Sequence, residues 1–403
     1  MKKQIKTKKT KTKRKNNNLS CSGGVGQLTL PGICPAFGSC GGCRYPQDDY
    51  PAYLSAKEKL IRQHLGAYKP LPLIPMEDPY YYRGKVHASF RKKGGQILCG
   101  LYEEESHRLV PVSDCLLEDL DLQAVLLTIQ ELVRSFRWTI YDEKSRSGLL
   151  RHVLLRKAPA SGEILVALVV TDLIVPGKAQ FARALMDAHP AVKSVILNLN
   201  ARRTSVVLGE KSVCVRGRAY IIDEILGKKF RISAESFYQV NTRQTEKLYA
   251  LAIAGAKLSP DKCLLDACCG VGTLGILSAP CCREVYGVEI NRRAIEDARA
   301  NARLNKISNI HFQADDITRY LIETPLHFDC IIVDPPRAGL SEDFIRALQK
   351  RPPERLVYVS CHLESLSQNL KALSQTFHIE SVQPVDMFPW TGHVETVCLM
   401  SMD

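Results

Sequence analysis

Two runs of aliphatic residues that each end in a reactive side chain constrain the fold of this chain more than any other feature. The first run, Ile331 to Val333, is followed by Asp334, and the second, Leu356 to Val359, is followed by Ser360 and Cys361. Short uninterrupted apolar runs are typical of buried parallel strands, and in an open α/β sheet ligands bind at the carboxyl ends of such strands. Asp334 and Cys361 are therefore predicted to face one cleft, where a carboxylate lies beside a potential nucleophile.

An upstream stretch indicates what this cleft binds. Gly270 and Gly272 follow one apolar run and Glu289 ends a second about 20 residues later, the order found in the nucleotide-binding half of a doubly wound sheet. The glycine-containing turn is not a G-x-x-x-x-G-K-[ST] motif, the phosphate-binding loop that precedes a helix in nucleotide hydrolases, which disfavours nucleotide hydrolysis. The short D-x-x-x-G-x-G turn from Asp266 best suits S-adenosylmethionine, which has no pyrophosphate. Gly275 nearly completes a dinucleotide-binding motif, so NAD stays an alternative.

The residues after the first of these strands narrow the reaction. Methyl transfer to an exocyclic base nitrogen commonly pairs an acid-Pro-Pro motif with an aromatic residue that clamps the base, but Arg337 stands in that place here. An amine acceptor is therefore disfavoured. Carbon 5 of a pyrimidine is a poor nucleophile until a group adds at carbon 6, and a thiolate is the side chain suited to that addition. Cys361 is placed for it, although an inert core cysteine is the alternative interpretation.

Such an intermediate must afterwards lose its carbon-5 proton to a base. Glu395 and His393 stand just before the last apolar strand of the chain. Glu395 is predicted as the base and His393 is the second choice. A solvated acid at the end of a strand is the other interpretation of Glu395.

Three cysteines near the N-terminus, Cys34, Cys40 and Cys43, form a C-x5-C-x2-C array. Three thiolates make an incomplete ligand shell, and Cys115, which follows a polar turn, is the predicted fourth ligand. An iron–sulfur cluster accepts three closely spaced cysteines and a remote one, whereas structural zinc usually takes two C-x2-C pairs. The spacing favours iron–sulfur over zinc, and unligated core cysteines are a further alternative.

The composition limits the classes of protein to which this chain can belong. The chain has 403 residues, 45% hydrophobic and 24% charged, which is ordinary for a globular protein of two or three domains. Its formal net charge is +13, and the first 15 residues are rich in Lys and Arg with no acid. This block predicts a solvated arm that contacts phosphates, with a solubilising tail as the alternative. Irregularly spaced cysteines, and the lack of a secretion signal or an apolar span, predict a cytoplasmic protein without a membrane partner, and a monomer is expected.

The order of these features divides the chain into four predicted regions. They are a basic arm and linker (1–27), an iron–sulfur segment (28–79), a central α+β domain that binds RNA (80–230) and a C-terminal doubly wound, Rossmann-like catalytic domain (231–403). The RNA assignment depends on aromatic residues interleaved with Lys and Arg in residues 80–93, a pattern that suits base stacking and phosphate contacts. Strands are predicted in the central domain at 149–157, 163–171, 192–200 and 203–208, and helices at 53–64, 123–137 and from Thr242 to about Ala256.

These motifs together resemble those of the RNA uracil-C5 methyltransferase family, and specifically its iron–sulfur branch, which acts on 23S ribosomal RNA. The resemblance covers nearly all of the chain from Cys34 onward. The matching segments are the four cysteines, Ser236-Phe237-Tyr238-Gln239-Val240-Asn241, Asp266 to Gly272, Glu289, Asp334-Pro335-Pro336-Arg337, Val359-Ser360-Cys361 and His393-Val394-Glu395.

By this resemblance the four cysteines hold a 4Fe-4S cluster, Cys361 is the nucleophile and Glu395 is the base. The resemblance also implies a set of contacts to S-adenosylmethionine: Gln239, Cys268, Gly270, Thr273, Glu289 and Asp334. Three positions depart from the family pattern. Cys268 stands where an aromatic residue is usual, His362 where Asn is usual, and Ala234 where Pro is usual.

The expected function is methylation of carbon 5 of a uridine in 23S ribosomal RNA, through a covalent bond between Cys361 and carbon 6 of a flipped base. Asp334 and Arg337 are expected to hold the base and its loop. Two alternatives are the same chemistry on a transfer RNA uridine and a non-catalytic RNA-binding factor that carries the cluster. Some family members begin with an OB-like domain, for which the lysines of the short arm are expected to substitute in part.

Overall fold

The computed structural model of the chain describes residues 33–103, 106, 108–112, 114–204 and 206–402. The predicted basic arm and the linker after it lie outside these residues. Within the described ranges, no helix is both long and apolar enough to cross a membrane.

The N-terminal segment forms helix α1 (Tyr50–Leu65), somewhat longer than the predicted 53–64. Asp49 caps the helix because its side chain accepts a hydrogen bond from the backbone N–H of Ala52. The buried face repeats every four residues and consists of Tyr53, Lys57, Ile61 and Leu65. A lysine within such an apolar stripe requires a buried partner, since an unpaired buried charge is costly.

A mixed sheet forms the centre of the chain. Its strands are β1 (Lys85–Lys93), β2 (Gln96–Tyr102), β3 (Leu109–Pro111), β4 (Leu150–Lys157), β5 (Ile164–Val170), β6 (Val192–Leu199) and β7 (Lys211–Gly217). They lie in the order β3-β2-β1-β4-β5-β6-β7, and β5 and β6 are parallel whereas the other neighbours are antiparallel. Helices α2 (Leu120–Ser135) and α3 (Lys178–Ala188) pack on one face, where the apolar core of this sheet lies.

The predicted strand at 203–208 is wrong, because the last strand of this sheet is β7. Two asparagine side chains bind the backbone of the segment before β7 and hold it in an irregular conformation. The Asn200 side-chain amide donates to the carbonyls of Val206 and Val207, at 2.8 and 3.0 Å. Asn198 donates to the Gly209 carbonyl at 3.0 Å and accepts the N–H of the same residue at 2.7 Å. The apolar residues of this segment therefore do not join the sheet.

A two-stranded hairpin, β8 (Ile221–Ile225) and β9 (Lys228–Ile232), leads into helix α4 (Thr242–Ala256). Asn241 caps this helix by accepting a hydrogen bond from the backbone N–H of Gln244 at 3.3 Å. The segment between the hairpin and the helix contains Gln239.

The C-terminal half is an α/β domain. Its strands are β10 (Cys263–Ala267), β11 (Glu284–Glu289), β12 (Ile310–Ala314), β13 (Cys330–Val333), β14 (Arg355–Ser360), β15 (Phe377–Val385) and β16 (Glu395–Met402). Its helices are α5 (Thr273–Ser278), α6 (Arg292–Leu304), α7 (Ile317–Glu323), α8 (Glu342–Lys350) and α9 (Leu363–Leu373). The strand order is β12-β11-β10-β13-β14-β16-β15, so this domain has the predicted doubly wound architecture.

The two ends of this sheet differ in strand direction. Strands β10 to β14 are parallel, and their carboxyl ends form one edge of the sheet. Strand β16 is antiparallel to β14 and pairs Thr396 with Ser360. The first residue of β16, Glu395, therefore lies at the same edge as Cys361, which directly follows β14. Two residues that are distant in sequence are in this way brought to one place by backbone hydrogen bonds.

Candidate active site

A cavity of about 580 Å³ opens at the carboxyl edge of the parallel strands. Both predicted catalytic residues and all six predicted cofactor contacts line it: Gln239, Cys268, Gly270, Thr273, Glu289, Asp334, Cys361 and Glu395. Arg337 also lines the cavity, whereas His393 is exposed and does not. The geometry thus favours Glu395 over His393 as the base.

The glycine turn after β10 forms one wall of the cavity. Cys268, Gly270 and Gly272 all have positive φ angles, of 62°, 54° and 80°. Gly272 cannot carry a side chain, because a Cβ there would lie 2.6 Å from the ring of Phe312. The Gly270 N–H donates to a Glu289 carboxylate oxygen at 3.3 Å, so the acid at the end of β11 is held against the turn. This arrangement presents backbone and carboxylate groups to a ligand, as nucleotide-binding turns do.

Buried carboxyl groups dominate the electrostatics of the cavity. Burial raises the pKa of Asp334 to about 7 and, with repulsion from Asp334 and Glu289, that of Asp266 to about 7. Burial and the charge of Asp334 raise the pKa of Glu395 to about 8, against the attraction of Lys57. The cavity is therefore short of positive charge, and a cationic ligand would be stabilised there.

The predicted nucleophile has a raised pKa in this acidic cavity. Burial, followed by the charges of Glu395 and Asp334, raises the pKa of Cys361 to about 11, and Arg337 opposes this. A cation bound in the cavity would offset the repulsion and so favour the reactive thiolate.

Helix α9 begins directly after the predicted nucleophile and explains one departure from the family pattern. His362 is the N-cap of this helix, and its ring nitrogen Nδ1 accepts a hydrogen bond from the Ser365 N–H at 3.4 Å. Asparagine, the usual residue at this position, is also a strong N-cap. His362 thus performs the local structural task of the residue that it replaces.

Sequence reasoning missed Tyr249, a buried residue of α4 that lines the cavity. Burial raises its pKa, and the charges of Asp334, Glu395 and Asp266 act in the same direction. A side-chain hydrogen bond with Gln239 has the opposite effect on this pKa. The signal in the sequence was weak, because an aromatic residue on the apolar face of a helix is most often a core residue.

The four predicted ligand cysteines do not line this cavity, and three of them lie near enough to the fourth, Cys43, to act on it electrostatically. Burial raises the pKa of Cys43 to about 12, and the charges of Cys115, Cys40 and Cys34 add to the effect whereas Arg83 opposes it. Four soft sulfur donors in one partly buried site fit an iron–sulfur cluster or zinc by their chemistry. As the described side chains stand, however, no group of three or more His, Cys, Asp or Glu residues is arranged to hold a metal ion.

Comparisons with known proteins agree with these features. A family model described as tRNA (Uracil-5-)-methyltransferase matches residues 49–402. Uncharacterized RNA methyltransferases of Halalkalibacterium halodurans and Clostridium tetani are each 37% identical, over 92% and 91% of this chain and 83% and 82% of their own lengths. The crystal structure of Pyrococcus abyssi tRNA (uracil-54, C5)-methyltransferase in complex with S-adenosyl-L-homocysteine is similar, with a TM-score of 0.75 and 25% identity over 90% of this chain and 86% of that one.

Proposed function

The chain belongs to the tRNA (uracil-5-)-methyltransferase family and is an RNA methyltransferase, and from this premise we propose that it methylates carbon 5 of a uridine in 23S ribosomal RNA through a covalent adduct with Cys361. One observation carries the proposal. Cys361 and Glu395 emerge from adjacent strand ends into the cavity that Asp334 also lines. A nucleophile and a base on one side of a concave site are what carbon-5 methylation of a pyrimidine requires.

The cavity residues would divide into a cofactor group and a reaction group. S-adenosylmethionine, when bound, supplies an electrophilic methyl group and a positive charge, and the acidic wall suits that charge. Gln239, Glu289 and Asp334 would hold it, together with the glycine turn after β10. The similar archaeal structure contains S-adenosyl-L-homocysteine, the product left by this cofactor after methyl transfer, which supports the same cofactor here.

The reaction group would act on a uridine that has been flipped out of its RNA loop. The Cys361 sulfur adds to carbon 6, and the electron pair of the 5,6 double bond becomes available at carbon 5 for alkylation. Glu395 then takes the carbon-5 proton. The electrons of that C–H bond restore the double bond, and the thiolate leaves from carbon 6. Arg337, the positively charged side chain that lines the cavity among the described residues, would hold the RNA loop.

The choice of 23S ribosomal RNA depends on the cysteine array, which resembles that of the ribosomal branch. A specific observation favours transfer RNA as the second candidate, since the similar solved structure is a transfer RNA enzyme. The central domain is proposed to contact either RNA through a groove that contains Lys92, Arg134 and Arg137. These cations suit phosphates, which provide most of the affinity for any RNA.

Methylation of purified RNAs tests the function. We expect tritiated methyl groups from S-adenosylmethionine to appear in unmodified 23S ribosomal RNA as 5-methyluridine, and transfer RNA from the same cells to stay unlabelled. Label in transfer RNA alone would overturn the ribosomal assignment and leave the chemistry intact. RNA binding without label in either RNA would instead support the non-catalytic factor.

We further propose that Cys34, Cys40, Cys43 and Cys115 hold a 4Fe-4S cluster. Protein purified without oxygen is expected to contain about four iron and four sulfide per chain, and a Cys43→Ser variant is expected to contain less than about one iron. Cys281→Ser is the matched control, because Cys281 is exposed and outside this group. Elemental analysis and visible absorption measure the result. One zinc per chain, or a Cys43→Ser variant with full iron, would contradict the cluster.

A further inference from the structure

The loop 386–394, between the last two strands, leads directly into the proposed base and is held by α1. The carboxylate of Asp386 is fully buried and accepts three hydrogen bonds from this helix. Lys57 Nζ donates at 2.6 Å, and the Tyr53 and Tyr50 hydroxyls donate at 2.9 and 2.7 Å. The Lys57 and Asp386 side chains, which link α1 to the loop 386–394, are thus both shielded from water.

A second set of contacts holds the same loop further along. The Trp390 carbonyl accepts the N–H groups of Arg44 and Tyr45, at 2.9 and 3.2 Å, and its indole N–H donates to the Pro79 carbonyl at 3.0 Å. Trp390 is completely buried and has a φ of +67°, which is uncommon for a residue other than glycine. Arg44 and Tyr45 directly follow Cys43, so the loop is hydrogen-bonded to the backbone of the two residues after the cysteine array.

The approach of the loop to the cysteine segment is close. A Cβ on Gly392 would lie 3.2 Å from two side-chain atoms of Arg44, and Tyr82 donates to the Pro389 carbonyl at 2.9 Å. Lys57 itself also donates to the Phe388 carbonyl at 3.2 Å. The segment before the base is therefore held by residues that precede the first sheet, at Asp386, Phe388, Pro389 and Trp390.

Stability alone does not require a buried ion pair between α1 and the loop 386–394. Taking an ammonium and a carboxylate out of water is costly, and a pair of apolar side chains in their place would often be as stable. A buried charge is useful where its field acts on a third group. Two charged side chains act on Glu395: Asp334 raises its pKa and Lys57 lowers it. The charge of Glu395 in turn raises the pKa of Cys361 and of Tyr249.

We propose that Lys57 is a positioning residue for proton removal, which with Asp386 fixes the loop 386–394 and thereby the place and charge of Glu395. The inference rests on the proposed function, because it takes Glu395 as the base. The N-terminal segment would then have a second role beside carrying the cysteines, because it holds the loop that leads into Glu395. Loss of these contacts to the loop would slow removal of the carbon-5 proton more than addition of Cys361 to carbon 6.

A Lys57→Met variant tests the proposal. We expect kcat to fall by about 100-fold, the lower range for loss of general base catalysis, and KM for RNA to fall with it while kcat/KM stays unchanged, because the steps up to methyl transfer are unaffected. A covalent complex of protein and RNA that carries the transferred methyl group should accumulate, because the adduct forms and is methylated but is not resolved. Denaturing gels with methyl-labelled S-adenosylmethionine detect this complex. Lys262→Met, which removes a surface ion pair with Glu354, is the matched control and should behave as the natural protein does.

A double variant separates positioning from folding. Lys57→Met with Asp386→Leu replaces the buried charges with an apolar pair and is expected to fold even where the single variant does not. We expect its turnover to stay low and the methylated complex to persist. Natural turnover without that complex in a folded double variant would overturn the inference. If the natural protein methylates RNA, such a result leaves the proposed function standing, whereas a natural protein that forms no 5-methyluridine refutes the proposed function itself.

Discussion

Replacing Cys361 with alanine is expected to abolish methyl transfer to RNA and to leave binding of S-adenosylmethionine intact. Carbon 5 of uracil has no route to alkylation without addition at carbon 6, and no other residue of the cavity takes the position of this thiol at the end of β14. The loss should be on the order of 10⁴-fold or more in kcat, as for other essential nucleophiles. Transfer of tritiated methyl groups measures activity, and calorimetric titration measures cofactor binding.

Two features make this variant easy to interpret. Cys361 is partly exposed and directly follows a strand, so the smaller alanine side chain leaves little cavity behind. Cys214→Ala, on the exposed strand β7, is the matched control and should keep full activity. A Cys361→Ala variant that methylates RNA within about 10-fold of the natural rate would exclude the covalent route, since loss of an essential nucleophile costs far more.

Much of the catalytic domain could be predicted because local patterns and the fold agree there. Buried parallel strands need apolar runs, and the polar residue that ends each run reports the edge of the sheet. Asp334, Cys361 and Glu289 were found in this way, and the architecture of the domain is as predicted. Belonging to the uracil-C5 methyltransferase family is confirmed by the match over residues 49–402.

Features that depend on contacts between distant parts of the chain could not be predicted. Nothing in the sequence indicates the partner of Lys57, because only the fold brings Asp386 to it across more than 300 positions. The error at 203–208 has a related cause, because the alternating pattern there is overridden by the side-chain amides of Asn198 and Asn200. Local propensity decides a segment only where no such tertiary contact competes.

Replacing Glu395 with glutamine is expected to trap the reaction after methyl transfer. The amide keeps the size and shape of the side chain but does not accept the carbon-5 proton. Turnover should fall by about 10² to 10⁴-fold, the usual contribution of a general base. A methylated complex of Cys361 with RNA should accumulate and survive denaturation. The control is Glu380→Gln on β15, which removes an ion pair with Arg355 of β14 and should turn over normally.

The pH dependence of turnover gives an independent test of the same residue. Burial and the charge of Asp334 raise the pKa of Glu395 to about 8, so the carboxylate, the form that accepts a proton, predominates only above that pH. Where proton removal limits the rate, turnover of the natural protein should therefore rise from pH 6 to pH 9. The Glu395→Gln variant should lose this rise while adduct formation, which depends on the Cys361 thiolate, still increases with pH. A variant that keeps the rise and releases free methylated RNA would mean that another group removes the proton.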